Sequence, residues 1–128
     1  MFIDTSIIIE IFCNDKKSKT FEEIYNLIKD EPIFISTIQI GEISDWRLKN
    51  NIDPEQRITK LKQISNIVPL NEKICMEGSK IKNNTRKNGM TKFSLIDGII
   101  LASARSINQK LLTTDEDFRK NEDAIILK

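Results

Sequence analysis

Short apolar runs without polar alternation, separated by longer stretches of three-to-four spacing, dominate the chain. The runs are Phe2-Ile3, Ile33-Phe34-Ile35, Ile67-Val68-Pro69-Leu70, Leu111-Leu112-Thr113 and Ile125-Ile126-Leu127. Each is β-branched or Leu-rich, as expected of parallel strands covered on both faces. Pro69 has no N–H to give a ladder, so it marks the third run as an edge or a strand exit. Helices fit the gaps. Thr20-x-x-Glu23 reads as a capping box ahead of Ile24, Leu27 and Ile28. Ile40, Ile43 and Leu48 lie along a second helix beside Trp46. Asp53-Pro54 reads as an N-cap with proline at the first helical position, before Ile58, Leu61 and Ile64. Asn71 caps a helix through Ile74 and Ile81 that stops near Asn88-Gly89. Phe93 to Ile107 is the most apolar helical pattern. Strand–helix alternation of this kind implies right-handed crossovers and an α/β architecture with a mostly parallel sheet.

One stretch is ambiguous. Ser6 to Phe12 favours a strand by propensity, yet as a helix it places Ile7, Ile8, Ile11 and Phe12 on one broad face.

A chain of 128 residues with neither repeats nor a Gly/Ser/Pro linker is expected to form one domain, residues 1–128. Twenty basic and 19 acidic residues give a net charge of +1, which argues against a wholly basic nucleic-acid coat. No apolar run approaches the roughly 20 residues that cross a bilayer. The opening Met1-Phe2-Ile3-Asp4 lacks a basic secretory leader, so a cytoplasmic location is expected.

Histidine is absent, which excludes Ser-His-Asp and Cys-His triads and histidine-ligated zinc. Cys13 and Cys75 are too far apart in sequence for a Cys-x-x-Cys site and are expected to be small buried hydrophobes. Chemistry must therefore come from carboxylates, hydroxyls and amines.

Four acids stand out. Asp4 follows the first strand, and Asp115 follows the fourth; ligands of open parallel sheets bind outside the carboxyl ends of strands. Asp97 is the only acid between Phe93 and Ile107 and shares a stripe with Phe93, Ile100 and Ala104. Glu42 is enclosed by Ile40 and Ile43. Carboxylates near a core are costly unless paired, and clustered ones raise one another's pKa; a hard divalent cation relieves both penalties. The competing reading makes Asp4 and Asp115 turn residues or N-caps and pairs Glu42 and Asp97 with Arg47 or Arg105.

Four segments then carry a resemblance. Met1-Phe2-Ile3-Asp4-Thr5-Ser6, Ile35 to Ile43, Ser94 to Ala102 and Leu111 to Phe118 resemble, in order, the signatures of the PIN-domain family. The resemblance spans the chain. It implies a PIN-like, Rossmann-like three-layer sandwich whose five-stranded parallel sheet has the order 3-2-1-4-5, and it makes Ser6–Phe12 a helix. At this length the chain is most similar to VapC-type toxins: Mg²⁺-dependent endoribonucleases of type II toxin–antitoxin pairs, with Mn²⁺ able to substitute, usually homodimeric and neutralised by a VapB-like antitoxin. Carried across, the metal-binding and catalytic quartet is Asp4, Glu42, Asp97 and Asp115. Asp117, Thr113, Thr5 and Ser6 match accessory positions. Gly98, where the family more often has alanine or a larger residue, and Gln39, where Thr, Ala or Val is usual, depart from the pattern without touching a predicted ligand.

RNA also needs cations. Ser79 to Lys92 carries Lys80, Lys82, Arg86, Lys87 and Lys92 without an acid, either a phosphate-contacting patch or a solvated helix face. Trp46 and Phe93 are assigned to packing before base stacking. The rival functions are a catalytically silent RNA- or protein-binding module of the same fold, a non-toxin nuclease of RNA processing, and a 5′-nuclease on structured DNA.

Overall fold

The computed structural model describes residues 1–13 and 19–127. Five strands form one sheet: β1 Phe2–Ile3, β2 Phe34–Ser36, β3 Asn66–Val68, β4 Leu111–Thr113 and β5 Ala124–Ile126. Their order is β3-β2-β1-β4-β5 and every pairing is parallel. The architecture and the order match the expectation, with strand boundaries shifted by a residue or two. Pro69 directly follows β3, which lies at an edge.

Alternation along each strand builds two cores. Phe2 and Leu111 face one side with Phe93, Ile100, Leu101 and Phe118. Ile3 and Leu112 face the other with Ile7, Ile8, Ile24, Ile35, Ile43 and Leu61. Burying each of these large side chains contributes about 1.5–3 kcal/mol relative to exposure. The first side is covered by α5 (Glu72–Lys87) and α6 (Leu95–Ser106). The second is covered by α1 (Thr5–Ile8), α2 (Lys19–Ile28), α3 (Thr37–Lys49) and α4 (Glu55–Ile64).

The ambiguous segment is helical: α1 passes into a π-helical turn at Ile9–Cys13. Burial of Ile7 and Ile8 against the sheet overrides their strand propensity.

Several local expectations shift. Thr20 lies inside α2 rather than at its cap. Pro54, not Asp53, occupies the N-cap of α4, although Asp53 Oδ1 still accepts from the Glu55 N–H at 3.0 Å. Leu48 is exposed. Asn71 caps α5 as expected, accepting from the Ile74 N–H at 2.8 Å, and Gly89 follows the helix with φ +105°. Cys75 is exposed, not buried: the inward stripe of α5 is Ile74, Gly78, Ile81 and Thr85, and Cys75 falls about 100° away from it. The side chain of Cys13 lies outside the described residues.

Candidate active site

Register brings the first acid to its partners. Ile3 pairs with Leu112, so the next residues, Asp4 and Thr113, leave the sheet side by side, and the Asp4 N–H donates to the Leu112 carbonyl at 2.9 Å. Asp4 is the N-cap residue of α1, yet its carboxylate does not cap. Instead Oδ2 accepts from the Thr113 hydroxyl at 2.7 Å and the Ser6 hydroxyl at 2.9 Å. Those hydroxyls are themselves held: Thr113 Oγ1 accepts from the Asp115 N–H at 3.0 Å, and Ser6 Oγ from the Thr114 N–H at 3.1 Å. Asp4 is thus a nearly buried carboxylate whose orientation is fixed from both central strands.

Glu42 comes from the second turn of α3. The capping box at the start of that helix positions it: Ser36 accepts from the Ile38 N–H, and Gln39 Oε1 accepts from the Ser36 N–H at 2.8 Å. Fully buried Gln39 also reaches the sheet, donating to the Ile3 carbonyl at 2.8 Å and to Thr5 Oγ1 at 3.4 Å. Thr5 in turn donates to Glu42 Oε1 at 2.6 Å. A residue that departs from the family pattern therefore braces Thr5 directly and Glu42 through it.

Asp97 stands at the third position of α6 in a reciprocal capping box. Its Oδ2 accepts from the Ser94 N–H at 3.0 Å, and its own N–H donates to Ser94 Oγ at 3.0 Å. Asp115 follows β4 and caps a short 3₁₀ turn, Glu116–Phe118, by accepting from the Asp117 N–H at 2.9 Å. The capping role weighed for Asp115 is real. The ion pairs weighed for the helical acids are absent among the described residues: Arg105 instead pairs with Asp123 at 2.6 Å, and the salt bridges join other groups.

The electrostatics follow from crowding without a counter-charge. Burial pushes the Asp4 carboxyl above its ordinary value against the pull of the Thr113, Ser6 and Thr5 donors, and Asp115 pushes it further up. Burial likewise raises Glu42, opposed by Thr5 and reinforced by Asp4 and Asp97. Asp97 is raised by burial, opposed by Ser94 and reinforced by Asp4 and Asp115. The quartet thus shares one field at the carboxyl ends of β1 and β4. Among the described residues no three of these acids already converge on a single ion position. The all-oxygen donor set nevertheless fits Mg²⁺, which keeps several waters and is commonly held by one or two carboxylates.

The predicted accessory residues separate by role. Thr5, Ser6 and Thr113 brace the acids, and Asp117 contributes its N–H to Asp115. Four of the five predicted cations lie on α5. Lys80 and Lys87 lie on one face of α5 and Lys82 and Arg86 on another, by the 3.6-residue period. Lys80 pairs with Glu77 at 3.3 Å. Arg86 Nε donates to the Phe93 carbonyl at 2.6 Å, pinning the turn that delivers Ser94 and Asp97. Phe93 is wholly buried and packs edge-on against Phe118 at 5.1 Å. Gln39 and Ser94 were legible as the Ser-x-x-Gln and Ser-x-x-Asp spacings of capping boxes.

Comparisons with known proteins place this geometry. The sequence matches the family model for the PIN domain over residues 1–124. No curated protein matches it significantly. Among solved structures, a toxin–antitoxin complex from Klebsiella pneumoniae superposes with a TM-score of 0.74 at 23% identity, over 97% of this chain and 94% of that one. VapBC-1 from nontypeable Haemophilus influenzae gives 0.71 at 26% identity, over 99% and 96%. VapBC2 from Rickettsia felis, bound to a promoter DNA fragment, gives 0.71 at 20%, over 98% and 96%.

Proposed function

The chain belongs to the PIN-domain family, and from that premise we propose that it is a metal-dependent endoribonuclease acting as the toxin of a toxin–antitoxin pair. The observation that carries the proposal is the quartet of Asp4, Glu42, Asp97 and Asp115. Three of its members are desolvated and raised, and no cation pairs with any of the four among the described residues. Such an arrangement is unfavourable for folding alone and fits a divalent counter-ion. The similarity to toxin–antitoxin structures along nearly the whole chain supports the toxin role and a VapB-like antitoxin partner.

Asp4, Glu42, Asp97 and Asp115 would hold Mg²⁺, with Mn²⁺ as a substitute. The ion supplies a water of lowered pKa and stabilises negative charge on the phosphate oxygens. The protein's contribution is orientation. Thr113 and Ser6 keep Asp4 Oδ2 directed from the sheet edge, Thr5 fixes Glu42 Oε1, and the Ser94 capping box fixes Asp97 Oδ2. Asp115 or Asp117, on the turn after β4, would orient the attacking water. Hydrolysis of this kind leaves the ribose 2′-OH unused and yields a 5′-phosphate and a 3′-OH.

A homodimer is part of the proposal, supported by exposed Tyr25, Leu27 and Leu48 on α2 and α3. Among the described residues no helix is long and apolar enough to cross a membrane. The decisive experiment incubates purified protein with RNA and with either Mg²⁺ or a chelator. Cleavage only with the ion, lost in Asp4→Asn, supports the reading; metal-independent cleavage, or none with either ion, rejects it. Growth arrest on expression, relieved by the product of an adjacent small gene, tests the toxin role.

A further inference from the structure

Beside the acids lies a hollow of about 330 Å³ whose walls grow out of the site itself. Trp46 is one helical turn beyond Glu42 on α3, Ile9 is one turn beyond Thr5, and Ile96 immediately precedes Asp97. Glu42 and Thr5, which are hydrogen-bonded at 2.6 Å, form the side shared with the acids. Asp45 and Lys49, paired at 3.0 Å and largely exposed, stand at the rim. The half-buried indole of Trp46, the only tryptophan in the sequence, lines the hollow together with the aliphatic side chains of Ile9 and Ile96.

We propose that this hollow is a nucleobase subsite in which Trp46 stacks on the base attached to the nucleotide whose phosphate is cleaved. This rests on the ribonuclease reading. Three features favour a base over other occupants. The hollow is at the small end of ligand pockets, of a size for one planar group. Its apolar lining joins an indole to aliphatic side chains, a surface that accepts the π-face of any base. Its polar wall is Glu42, so a phosphate engaged at the acids leaves its own base within reach of the indole. Glu42 and Asp45 also line the hollow, and carboxylates accept hydrogen bonds from base N–H groups. Sequence reasoning assigned Trp46 to packing; its half-exposure beside Glu42 gives it a surface that Phe93 lacks.

The test begins by mapping the cleavage position in a short RNA. The base next to the cleaved phosphate is then removed, leaving the sugar–phosphate intact. Wild-type kcat/KM should fall about 5- to 100-fold, the range of one stacked base. Trp46→Leu, which keeps apolar volume without the ring, should show the same loss on intact RNA and little further loss on the abasic strand. Trp46→Phe should restore part of the discrimination, and thermal melting of both variants verifies the fold. Binding is read separately: with Asp4→Asn protein, intact RNA should quench the lone tryptophan fluorescence and the abasic strand should not. Cleavage that is indifferent to base removal, or an abasic penalty equal in wild type and Trp46→Leu, overturns the subsite alone. The hollow then suits an apolar side chain of a protein partner. Absence of any RNA cleavage or binding overturns the ribonuclease reading, and the subsite with it.

Discussion

Gly98 and Gly78 meet backbone to backbone where α6 crosses α5: a Cβ on Gly98 would lie 2.2 Å from the Gly78 carbonyl oxygen. The reciprocal Cβ on Gly78 would lie 2.7 Å from Ile99 Cγ1 and 2.8 Å from the Ile99 backbone. A glycine in mid-helix weakens the helix by about 1 kcal/mol relative to alanine, and here the close approach of two helices requires it. Because Gly98 follows Asp97, that contact sets the depth at which the acid is delivered.

Gly98→Ala and Gly78→Ala should each destabilise the protein by about 1–3 kcal/mol, since the clashing atoms belong to backbone or to a packed isoleucine. Gly41→Ala is the control. Nothing lies within 4 Å of its Cβ position, and as an exposed site inside α3 it should gain up to about 1 kcal/mol. Denaturant midpoints of the three variants check the contrast.

Asp4→Asn should lower Mg²⁺-dependent cleavage by at least about 100-fold while raising the melting temperature of metal-free protein by about 2–8 °C. The amide oxygen can still accept from Ser6 and Thr113, so the geometry survives while the desolvated charge is gone. A variant that melts lower than wild type in chelator would contradict this account of Asp4.

The raised carboxyls make metal-free stability depend on pH. Asp4, Glu42 and Asp97 hold protons more tightly folded than unfolded, so their contribution is fully present below the unfolded carboxyl range and is lost as pH rises through the folded values. Asp123 has the opposite sign. Arg105 lowers it, and its contribution fades as pH falls through its folded value. Melting in chelator should therefore be higher near about pH 5 than near about pH 7.5. Added Mg²⁺ should raise it more at the higher pH, by up to about 2.7 kcal/mol at a hundredfold excess over Kd. A Mg²⁺ effect equal at both pH values would reject the coupling.

Arg86 offers a fourth handle. Its bond to the Phe93 carbonyl predicts that Arg86→Ala lowers both melting temperature and cleavage while leaving the salt dependence of RNA affinity unchanged. A slope reduced by about 0.7–0.9 per decade of salt would instead assign Arg86 to a phosphate.

The sheet was legible because its strands are short, mostly apolar runs, fully buried in β1 and β4 and half-buried in the edge strand β5, a pattern that survives without knowledge of neighbours. The positions of the acids were legible for the same reason, since a carboxylate inside Ile40–Ile43 or Phe93–Ile107 contradicts its surroundings. What stayed hidden depends on contacts distant in sequence. Gly98 reads as a helix defect until Gly78 is beside it, and the reach of Gln39 to the Ile3 carbonyl and to Thr5 is visible only once α3 is set against β1. For Lys80 to Lys92 a linear count of charge leaves a phosphate-contacting patch and a solvated helix face equally open, because it ignores the helical period. Cys75 was within reach: the inward stripe that begins at Ile74 excludes the next residue.

The central strand β1 binds β2 on one side and β4 on the other, and Asp4 owes its orientation to Thr113. During synthesis residues 1–110 therefore emerge before the hydroxyl that aims the first acid exists. Until Leu111–Thr113 leaves the ribosome and docks, the inner edge of β1 is open and the acidic cup lacks one wall. Asp4 therefore takes its final orientation only after residue 113 has been made and β4 has docked beside β1.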